Sequence, residues 1–331
     1  MTSATIAIIG AGAWGTALAQ SLAAAGRKVT LWARDPALVR GIAGRHRNDT
    51  YLPGVDLDPA IDVTSDLPFA CRASVVLLAV PAQHLRATAA LMSRHLAPGT
   101  PAVICAKGIE QASDKLMSEV LADALPAAVP AVLSGPSFAA DVARGLPTAV
   151  TLATHDETLG GRLAAGIGHR TFRPYWSSDL TGVQLGGAVK NVLAIAAGIV
   201  AGRALGASAQ AALVTRGFAE LSRFGATLGA RPETLVGLSG LGDLILTCNS
   251  PQSRNFAFGH ALGRGEAARA LLSGRNPVVE GAPTAAAVVR IAASRAIDMP
   301  LCTAVAAIIT GTISIDQAID DLLQRPLKSE I

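Results

Sequence analysis

The stretch IAIIGAGAWGTALAQSLAAAG, residues 6–26, decides the fold of the first half of this 331-residue chain. A short apolar run leads into Gly10, Gly12 and Gly15, which have the spacing GxGxxG, and an alanine-rich helical run follows. In a strand–turn–helix unit the first glycine permits a tight turn, and the second lets a pyrophosphate approach the backbone. The third lets the helix pack on the strand. The stretch therefore predicts a dinucleotide-binding unit; glycines that serve packing alone are the alternative.

Further apolar runs continue the alternation of strands and helices through the first half of the chain. They are KVTLWA (28–33), SVVLLAV (74–80), AVICA (102–106), AVLSG (131–135) and TAVTLA (148–153). Strands that are apolar almost throughout are typical of a parallel sheet with both faces covered.

From about residue 180 the β-like runs end and helical spacing takes over. The predicted helical segments are 181–221, 231–247, 255–272, 281–296 and 302–323. The predicted fold class is an α/β N-terminal Rossmann-type doubly wound sheet plus an all-α C-terminal domain. Residues 1–180 would form the dinucleotide-binding domain and residues 181–331 the helical substrate and catalytic domain.

The composition argues against several classes of protein. Half of the residues are hydrophobic and the net charge is only +4, with scattered basic residues, so binding to nucleic acid has no support. The four cysteines are far apart and the six histidines are dispersed, which argues against a metal site and a disulfide framework and favours a reducing cytoplasm. The N-terminus lacks the basic flank of a signal peptide.

Residues 185–201, LGGAVKNVLAIAAGIVA, place Lys190 and Asn191 in a run that otherwise lacks polar side chains. The run is short for a membrane span and contains a charge, so we expect that this chain is not an integral membrane protein. Burial of an ammonium group costs roughly several kcal/mol of hydration free energy, and a partner is needed to offset this cost. The alternative is that the lysine stem is covered and its head reaches water.

The end of the second predicted strand bears on the choice of nucleotide. The sequence LWARDP places Arg34 and Asp35 where the adenosine ribose of a bound dinucleotide would lie. An acid there binds the 2′-hydroxyl of NAD, whereas an arginine accommodates the 2′-phosphate of NADP. Asp35 precedes Pro36 and could instead cap the next helix. We predict NADP as the preferred cofactor, with NAD tolerated. Enzymes that use S-adenosylmethionine share the loop but favour an acid at this strand end.

Four further stretches combine with the glycine loop: AVICAKGIE (102–110), LSGPSFAADVARGLPTAV (133–150), LGGAVKNVLAIAAG (185–198) and GLSGLGDLILTCNSPQSRNFAFG (237–259). Together with YLPG and VVEGAPTA (278–285), they resemble the bacterial NAD(P)-dependent glycerol-3-phosphate dehydrogenases over nearly the whole chain. The chain departs from the family pattern at Asp141, where glutamate is expected, and at Ser208, where asparagine is usual. Neither position belongs to the expected reactive group.

The resemblance implies reversible reduction of dihydroxyacetone phosphate to sn-glycerol 3-phosphate with NAD(P)H, which supplies glycerophospholipid synthesis. Lys190 would exchange a proton with the substrate oxygen, and Lys107 and Asp243 would complete the catalytic group. The implied substrate-binding residues are Lys107, Gly135, Ser137, Lys190, Asp243, Ser253, Arg254 and Asn255. The implied cofactor-binding residues are Gly10, Gly12, Ala13, Trp14, Gly15, Arg34, Lys107, Ala139, Arg254, Val278 and Glu280. Whether Asp35 or Tyr51 also contacts the cofactor stays open.

The residue types fit these roles. Ser239, Asp243 and Thr247 recur every four residues and would share one helix face. A carboxylate at Asp243 can hold Lys190. For Thr247 the alternative is that its hydroxyl serves no site and only hydrogen-bonds to the backbone of its own helix. Arg254 stands before a predicted helix, where a guanidinium and backbone amides can bind a phosphate. Asn191 could orient the lysine or serve as a core amide, and Ser134 and Ser137 could be turn residues.

Two other functions compete with this one. A related two-domain dehydrogenase could act on a β-hydroxy acid or a sugar phosphate, but it should lack GLGDLILTC followed by SRN. A module that senses NAD(P)H without turnover would give no reason for Lys107, Lys190 and Asp243 to occur together. We expect a homodimer formed through the helical domain, whereas feedback inhibition and the ratio of NADP to NAD use are not predicted.

Overall fold

A computed structural model describes residues 5–273 and 279–326. The strands are β1 Thr5–Ile9, β2 Lys28–Trp32, β3 Arg47–Asn48, β4 Leu52–Asp56, β5 Asp62–Thr64, β6 Val75–Leu78, β7 Pro101–Ile104, β8 Val129–Ser134, β9 Thr148–Ala153 and β10 Phe172–Ser177. The helices of the first half are α1 Ala13–Ala24, α2 Pro36–Arg45, α3 Leu67–Ala70, α4 Leu85–Met92, α5 Met117–Ala124, α6 Ala139–Ala143 and α7 Glu157–Ile167, with a 3₁₀ turn at Ala82–His84.

Helices alone make up the rest of the described chain. They are α8 Leu180–Gly202, α9 Ala207–Thr227, α10 Pro232–Leu235, α11 Asp243–Cys248, α12 Arg254–Gly263, α13 Ala268–Leu272, α14 Gly281–Ser294, α15 Pro300–Thr310 and α16 Ile315–Leu323, with a π-helical turn at Leu238–Gly242. The predicted fold class is confirmed. The sheet ends with β10 and α8 begins at Leu180, close to the predicted domain boundary, and the division of the chain at that point stays a prediction.

Eight strands form one sheet in the order β10-β9-β8-β7-β6-β1-β2-β5. The expectation of a parallel sheet is wrong for its end, because β9 pairs with β8 in antiparallel fashion and β10 runs parallel to β9. The link 135–147 does not cross the sheet: its short helix α6 contacts α1, and the chain turns back at the edge where β8 ends. Antiparallel neighbours need no crossover helix. This link therefore stays at the carboxyl edge of the parallel strands, beside the glycine loop.

Four strands carry no clear sequence signal. The pair β3 and β4 forms a separate two-stranded ribbon joined by a turn at residues 49–51, so that YLPG runs from this turn into β4. The strand β5 is only three residues long. The strand β10 contains Pro174, which is tolerated because β10 lies at the edge of the sheet.

The helix α8 forms the centre of the helical half and contacts α9, α11, α12, α14 and α15. It has 23 residues, longer than the run identified in the sequence, and by length and composition it could cross a membrane. However, 83% of its most apolar window is buried inside the protein, as in the core helix of a soluble protein. Its packing on α12 depends on Gly259, where an added Cβ would lie 2.0 Å from the Ile195 carbonyl oxygen.

Candidate active site

Asp243 holds two lysines with its two carboxylate oxygens. Its Oδ1 lies 2.7 Å from Lys190 Nζ, and its Oδ2 lies 2.7 Å from Lys107 Nζ. Lys190 comes from the middle of α8, Asp243 begins α11, and Lys107 follows β7 at the carboxyl edge of the sheet. Two ammonium groups thus share one carboxylate, which leaves one positive charge uncompensated within this group.

Each ammonium group has one neutral oxygen partner besides Asp243, which leaves its third N–H for a substrate. Lys190 also donates to Thr247 Oγ1 at 2.7 Å, and the Thr247 hydroxyl lies 3.2 Å from Asp243 Oδ1. Lys107 also donates to the Gly135 carbonyl at 2.9 Å, an oxygen that accepts from Ser137 as well. The Lys190 side chain is therefore buried and paired, and the alternative, a lysine head that reaches water, is wrong.

Burial and charge change the pKa of both buried partners. Burial lowers the pKa of Lys190 to about 8, although the nearby Asp243 charge raises it. Burial raises the pKa of Asp243, but the charges of Lys107 and Lys190 outweigh this and hold it below its usual value. Asp243 is therefore ionised at neutral pH, whereas Lys190 can gain or lose a proton near neutrality.

A chain of buried amides joins the lysines to the start of α12. Asn191 Nδ2 donates to the Lys107 carbonyl at 2.8 Å, and Asn255 Nδ2 donates to Asn191 Oδ1 at 2.9 Å. The Asn255 Oδ1 accepts from the Gly281 amide at 2.9 Å, so this side chain is already used within the protein. The Asn255 Nδ2 carries a second hydrogen, so the side chain could still donate to a substrate phosphate.

The helix α12 presents its N-terminus near these amides. Ser253 is buried and caps the helix by accepting from the Phe256 amide at 3.2 Å, and Arg254 is the first helical residue, with an exposed side chain. An exposed guanidinium beside the free amides of a helix start can bind a phosphate.

The glycine loop has the shape that a dinucleotide requires. Gly10 has φ +116°, and an added Cβ would lie 2.9 Å from the Ala79 carbonyl oxygen. A Cβ on Gly15 would lie 1.9 Å from the Gly10 carbonyl oxygen, so helix and strand approach too closely for any side chain there. At Gly12 an added Cβ meets nothing within 4 Å, which leaves space beside the backbone. These residues fit the pyrophosphate of NAD or NADP.

The remaining predicted cofactor residues are spread over several elements. Trp14 packs against the core of the sheet domain, and Ala139 begins α6. Arg34 and Tyr51 are exposed. Glu280 accepts from the Ala82 amide at 2.9 Å, and burial raises its pKa even though the Ala82 and Lys107 amides act against this. The prediction for Val278 lies outside the described residues.

Asp35 caps α2, as one alternative predicted: its Oδ1 accepts from the Ala37 amide at 2.8 Å, which leaves Oδ2 able to accept from another donor. Of Ser239, Asp243 and Thr247, which were predicted to share one helix face, only Asp243 and Thr247 lie on the same α-helix, α11. Ser239 lies in the π-helical turn, and its buried hydroxyl has no hydrogen-bond partner among the residues that the structure describes. Across residues 5–273 and 279–326, no three His, Cys, Asp or Glu side chains group as metal ligands do.

Two polar residues of structural importance carry no motif signal. Asn48 contacts the glycine loop from β3, and Glu220 of α9 accepts from the Leu301 and Cys302 amides at the start of α15. Only the fold brings these partners together, because Glu220 is 81 residues from Leu301.

Comparisons with known proteins agree with this geometry. The model described as NAD-dependent glycerol-3-phosphate dehydrogenase N-terminus matches residues 5–160, and the corresponding C-terminus model matches residues 179–320. The chain belongs to the NAD-dependent glycerol-3-phosphate dehydrogenase family. This confirms the resemblance inferred from the sequence.

Individual members of the glycerol-3-phosphate dehydrogenase family match the chain over its full length. A protein named glycerol-3-phosphate dehydrogenase [NAD(P)+] from Bradyrhizobium sp. (strain BTAi1) is 61% identical over 98% of both chains. One of the same name from Parvibaculum lavamentivorans is 57% identical, also over 98% of both chains. The crystal structure of glycerol-3-phosphate dehydrogenase from Coxiella burnetii superposes with a TM-score of 0.93 at 38% identity, covering 98% of this chain and 99% of the other.

Proposed function

We propose that this chain reduces dihydroxyacetone phosphate to sn-glycerol 3-phosphate with NAD(P)H, and catalyses the reverse oxidation. One observation carries the proposal: two lysines share the Asp243 carboxylate at 2.7 Å each, at the carboxyl edge of a dinucleotide-binding sheet. The bound nicotinamide supplies or accepts the hydride. The protein has to bind and orient the substrate and to move one proton.

Lys190 is the proton donor in reduction. An ammonium group with a pKa of about 8 is protonated at neutral pH and yields its proton more readily than an ordinary lysine. The substrate oxygen gains that proton as the carbon gains the hydride, and Lys190 is left as a neutral amine. In oxidation the neutral amine takes the proton back.

Lys107 stabilises negative charge on the same oxygen, since its ammonium group is fixed by Asp243 and by the Gly135 carbonyl. Fixed charges that need no rearrangement during the reaction give large stabilisation of developing charge. Asp243 acts through the lysines, since it holds both ammonium groups in place.

The phosphate end of the substrate is bound at the start of α12. Support comes from Arg254, whose planar guanidinium can form two parallel hydrogen bonds to a phosphate, and from the backbone amides of the first helical turn. Ser253 shapes this site as the cap of α12. Gly135 and Ser137 are proposed to bind substrate from the side of Lys107, whose ammonium donates to the Gly135 carbonyl, and Asn255 is proposed to bind it from the first turn of α12.

The cofactor is bound by the glycine loop and by the side chains around the sheet edge, with NADP preferred through Arg34. The cofactor-binding residues proposed are Gly10, Gly12, Ala13, Trp14, Gly15, Arg34, Lys107, Ala139, Arg254, Val278 and Glu280. Asp35 caps α2 through Oδ1, and a contact of its Oδ2 with the ribose stays open.

The test is the oxidation of NADPH and of NADH by purified protein, followed by absorbance, with dihydroxyacetone phosphate as substrate. We expect turnover that is much lower with unphosphorylated dihydroxyacetone and absent with β-keto acids. Preference for a β-keto acid or a sugar phosphate would favour the related dehydrogenases, and cofactor binding without any turnover would favour the sensing module.

We further infer a homodimer in the cytoplasm, whose product supplies glycerophospholipid synthesis. Large apolar side chains exposed in the helical half support the dimer, among them Leu205, Val236 and Leu323. The four cysteines are buried free thiols, in keeping with a reducing compartment. Light scattering after gel filtration tests the dimer, and a mass equal to one chain would exclude it. Fractionation of the source cells tests the location.

A further inference from the structure

Asn48 links the ribbon strand β3 to the glycine loop. Its side chain is buried, and Nδ2 donates to the Ala11 carbonyl at 2.9 Å and to Thr16 Oγ1 at 2.8 Å. The Thr16 hydroxyl in turn lies 3.4 Å from the same carbonyl. Asn48 Oδ1 is buried without a hydrogen-bond partner among the described residues. Both of its donor hydrogens therefore serve the loop, although its acceptor is left unpaired.

The contact with Ala11 fixes the direction of the next amide. In a planar trans peptide the C=O of one residue and the N–H of the following residue point in opposite directions. Because Asn48 holds the Ala11 carbonyl on its own side, the Gly12 N–H points away from Asn48. Gly12 is also where an added Cβ would meet nothing within 4 Å, so the loop is open at this residue.

We propose that Asn48 is a positioning residue for the cofactor, which turns the Ala11–Gly12 peptide so that the Gly12 N–H faces the dinucleotide phosphates. The inference rests on the proposed function, because it presupposes that NAD(P)H binds at the glycine loop. Asn48 acts through Ala11 and has no contact with the reacting atoms. A peptide held in this orientation before binding spares the cofactor the cost of ordering the loop.

Gln20 offers a matched control on the same helix. Its Oε1 accepts from the Asp58 amide at 2.6 Å and so ties the chain beyond the ribbon to α1, one helical turn further from the loop than Thr16. Gln20→Ala therefore loosens the same segment without touching the Ala11 carbonyl. A merely structural role for Asn48 predicts that both substitutions act alike.

The experiment compares wild type, Asn48→Ala, Asn48→Asp and Gln20→Ala by NADPH fluorescence titration, thermal melting and kcat at saturating NADPH. We expect the Kd for NADPH to rise about tenfold in Asn48→Ala, the scale of one lost hydrogen bond. Asn48→Asp should show a larger rise, since an ionised carboxylate has no donor and faces the Ala11 oxygen. Gln20→Ala should keep the wild-type Kd, and kcat should stay near wild type in all variants.

The inference is overturned if Asn48→Ala binds NADPH as wild type does, or if Gln20→Ala weakens binding equally at a similar loss of melting temperature. Failure of the wild type itself to bind NADPH or NADH would instead reject the proposed function. Should Asn48→Ala show no cooperative melt, Asn48→Leu keeps the size of the side chain and removes both of its donor hydrogens without adding a charge. A rise in the NADPH Kd then supports the inference, and an unchanged Kd overturns it.

Discussion

Lys190 and Asp243 form a buried ion pair with 2.7 Å between Nζ and Oδ1, although they lie 53 residues apart in the chain. The pair stays buried because the carboxylate is shared with Lys107 and the ammonium also donates to Thr247. Buried ions need such additional partners, since the attraction between two charges alone does not offset their loss of hydration. The sharing leaves net positive charge beside the lysine that we propose as proton donor.

Lys190→Met should lower kcat for reduction of dihydroxyacetone phosphate by about 10²–10⁴-fold, the usual effect of losing a positioned acid. Methionine keeps much of the stem volume, so NADPH binding measured by fluorescence should stay near wild type. Lys115→Met, at a surface lysine paired with Asp123, is the matched control and should turn over normally. Wild-type kcat in the Lys190 variant would exclude the proton-transfer role.

Asp243→Asn should shift the pH dependence of both reaction directions. Reduction needs protonated Lys190, so in the wild type its rate should fall as pH rises through about 8, while oxidation should gain rate over the same range. The Asp243 charge raises the Lys190 pKa, and its removal should move both transitions to lower pH. Rate profiles measured in both directions check this. Transitions that stay in place would show that Asp243 does not set the Lys190 pKa.

Arg34→Ala should weaken the binding of NADPH by about 1–3 kcal/mol, the range for a charge-assisted hydrogen bond, and leave the binding of NADH nearly unchanged. Steady-state KM values for both cofactors measure the difference. Arg40→Ala, at an exposed arginine of α2, serves as the neighbouring control and should leave the KM values of both cofactors unchanged. Equal losses for both cofactors in Arg34→Ala would contradict a contact with the 2′-phosphate.

Arg254→Lys keeps the charge but loses the planar fork, so KM for dihydroxyacetone phosphate should rise markedly. Unphosphorylated dihydroxyacetone, measured in the same assay, should be almost indifferent to the change. Arg264→Lys alters an exposed arginine at the other end of α12 and should leave both substrates unaffected. If KM rises equally for both substrates in Arg254→Lys, the residue serves the fold or the cofactor.

Glu220→Gln should change how stability depends on pH. Burial raises the pKa of Glu220 to about 7, although the Leu301 and Cys302 amides lower it. The native state therefore keeps a proton that the unfolded state has lost, and stability present below pH 4.5 is lost as pH rises through about 7. At pH 8 the ionisation of buried Glu220 lowers the free energy of unfolding of the wild type by at most about 3 kcal/mol.

The melting temperature of Glu220→Gln minus that of wild type should thus become more positive between about pH 5 and 8. Exposed Glu233, changed to glutamine, is the control and should give a difference that does not vary with pH. A constant difference for Glu220→Gln would show that this carboxyl is ionised in the native state across the range.

Particular residues mark the limit of prediction from sequence. The direction of β9 was predicted wrongly, because an apolar strand has the same pattern in either direction and only the path of the link 135–147 decides it. Asp35 carries signals for a ribose contact and for a helix cap, and its hydrogen bond to Ala37 shows the cap. The sequence places Asn255 among the substrate-binding residues but does not show its partners within the protein, Asn191 and Gly281, which lie far from it in the chain.

The sequence by itself determined the dinucleotide-binding start, the change to an all-helical second half, the family and the residue types of the reactive group. These follow from local spacing, because glycine turns and the strand and helix periodicities act over a few residues. Only the tertiary structure decided that one carboxylate serves both Lys107 and Lys190, and that Asn48 reaches the glycine loop. Such contacts join distant residues through the packing of whole elements, which no local pattern encodes.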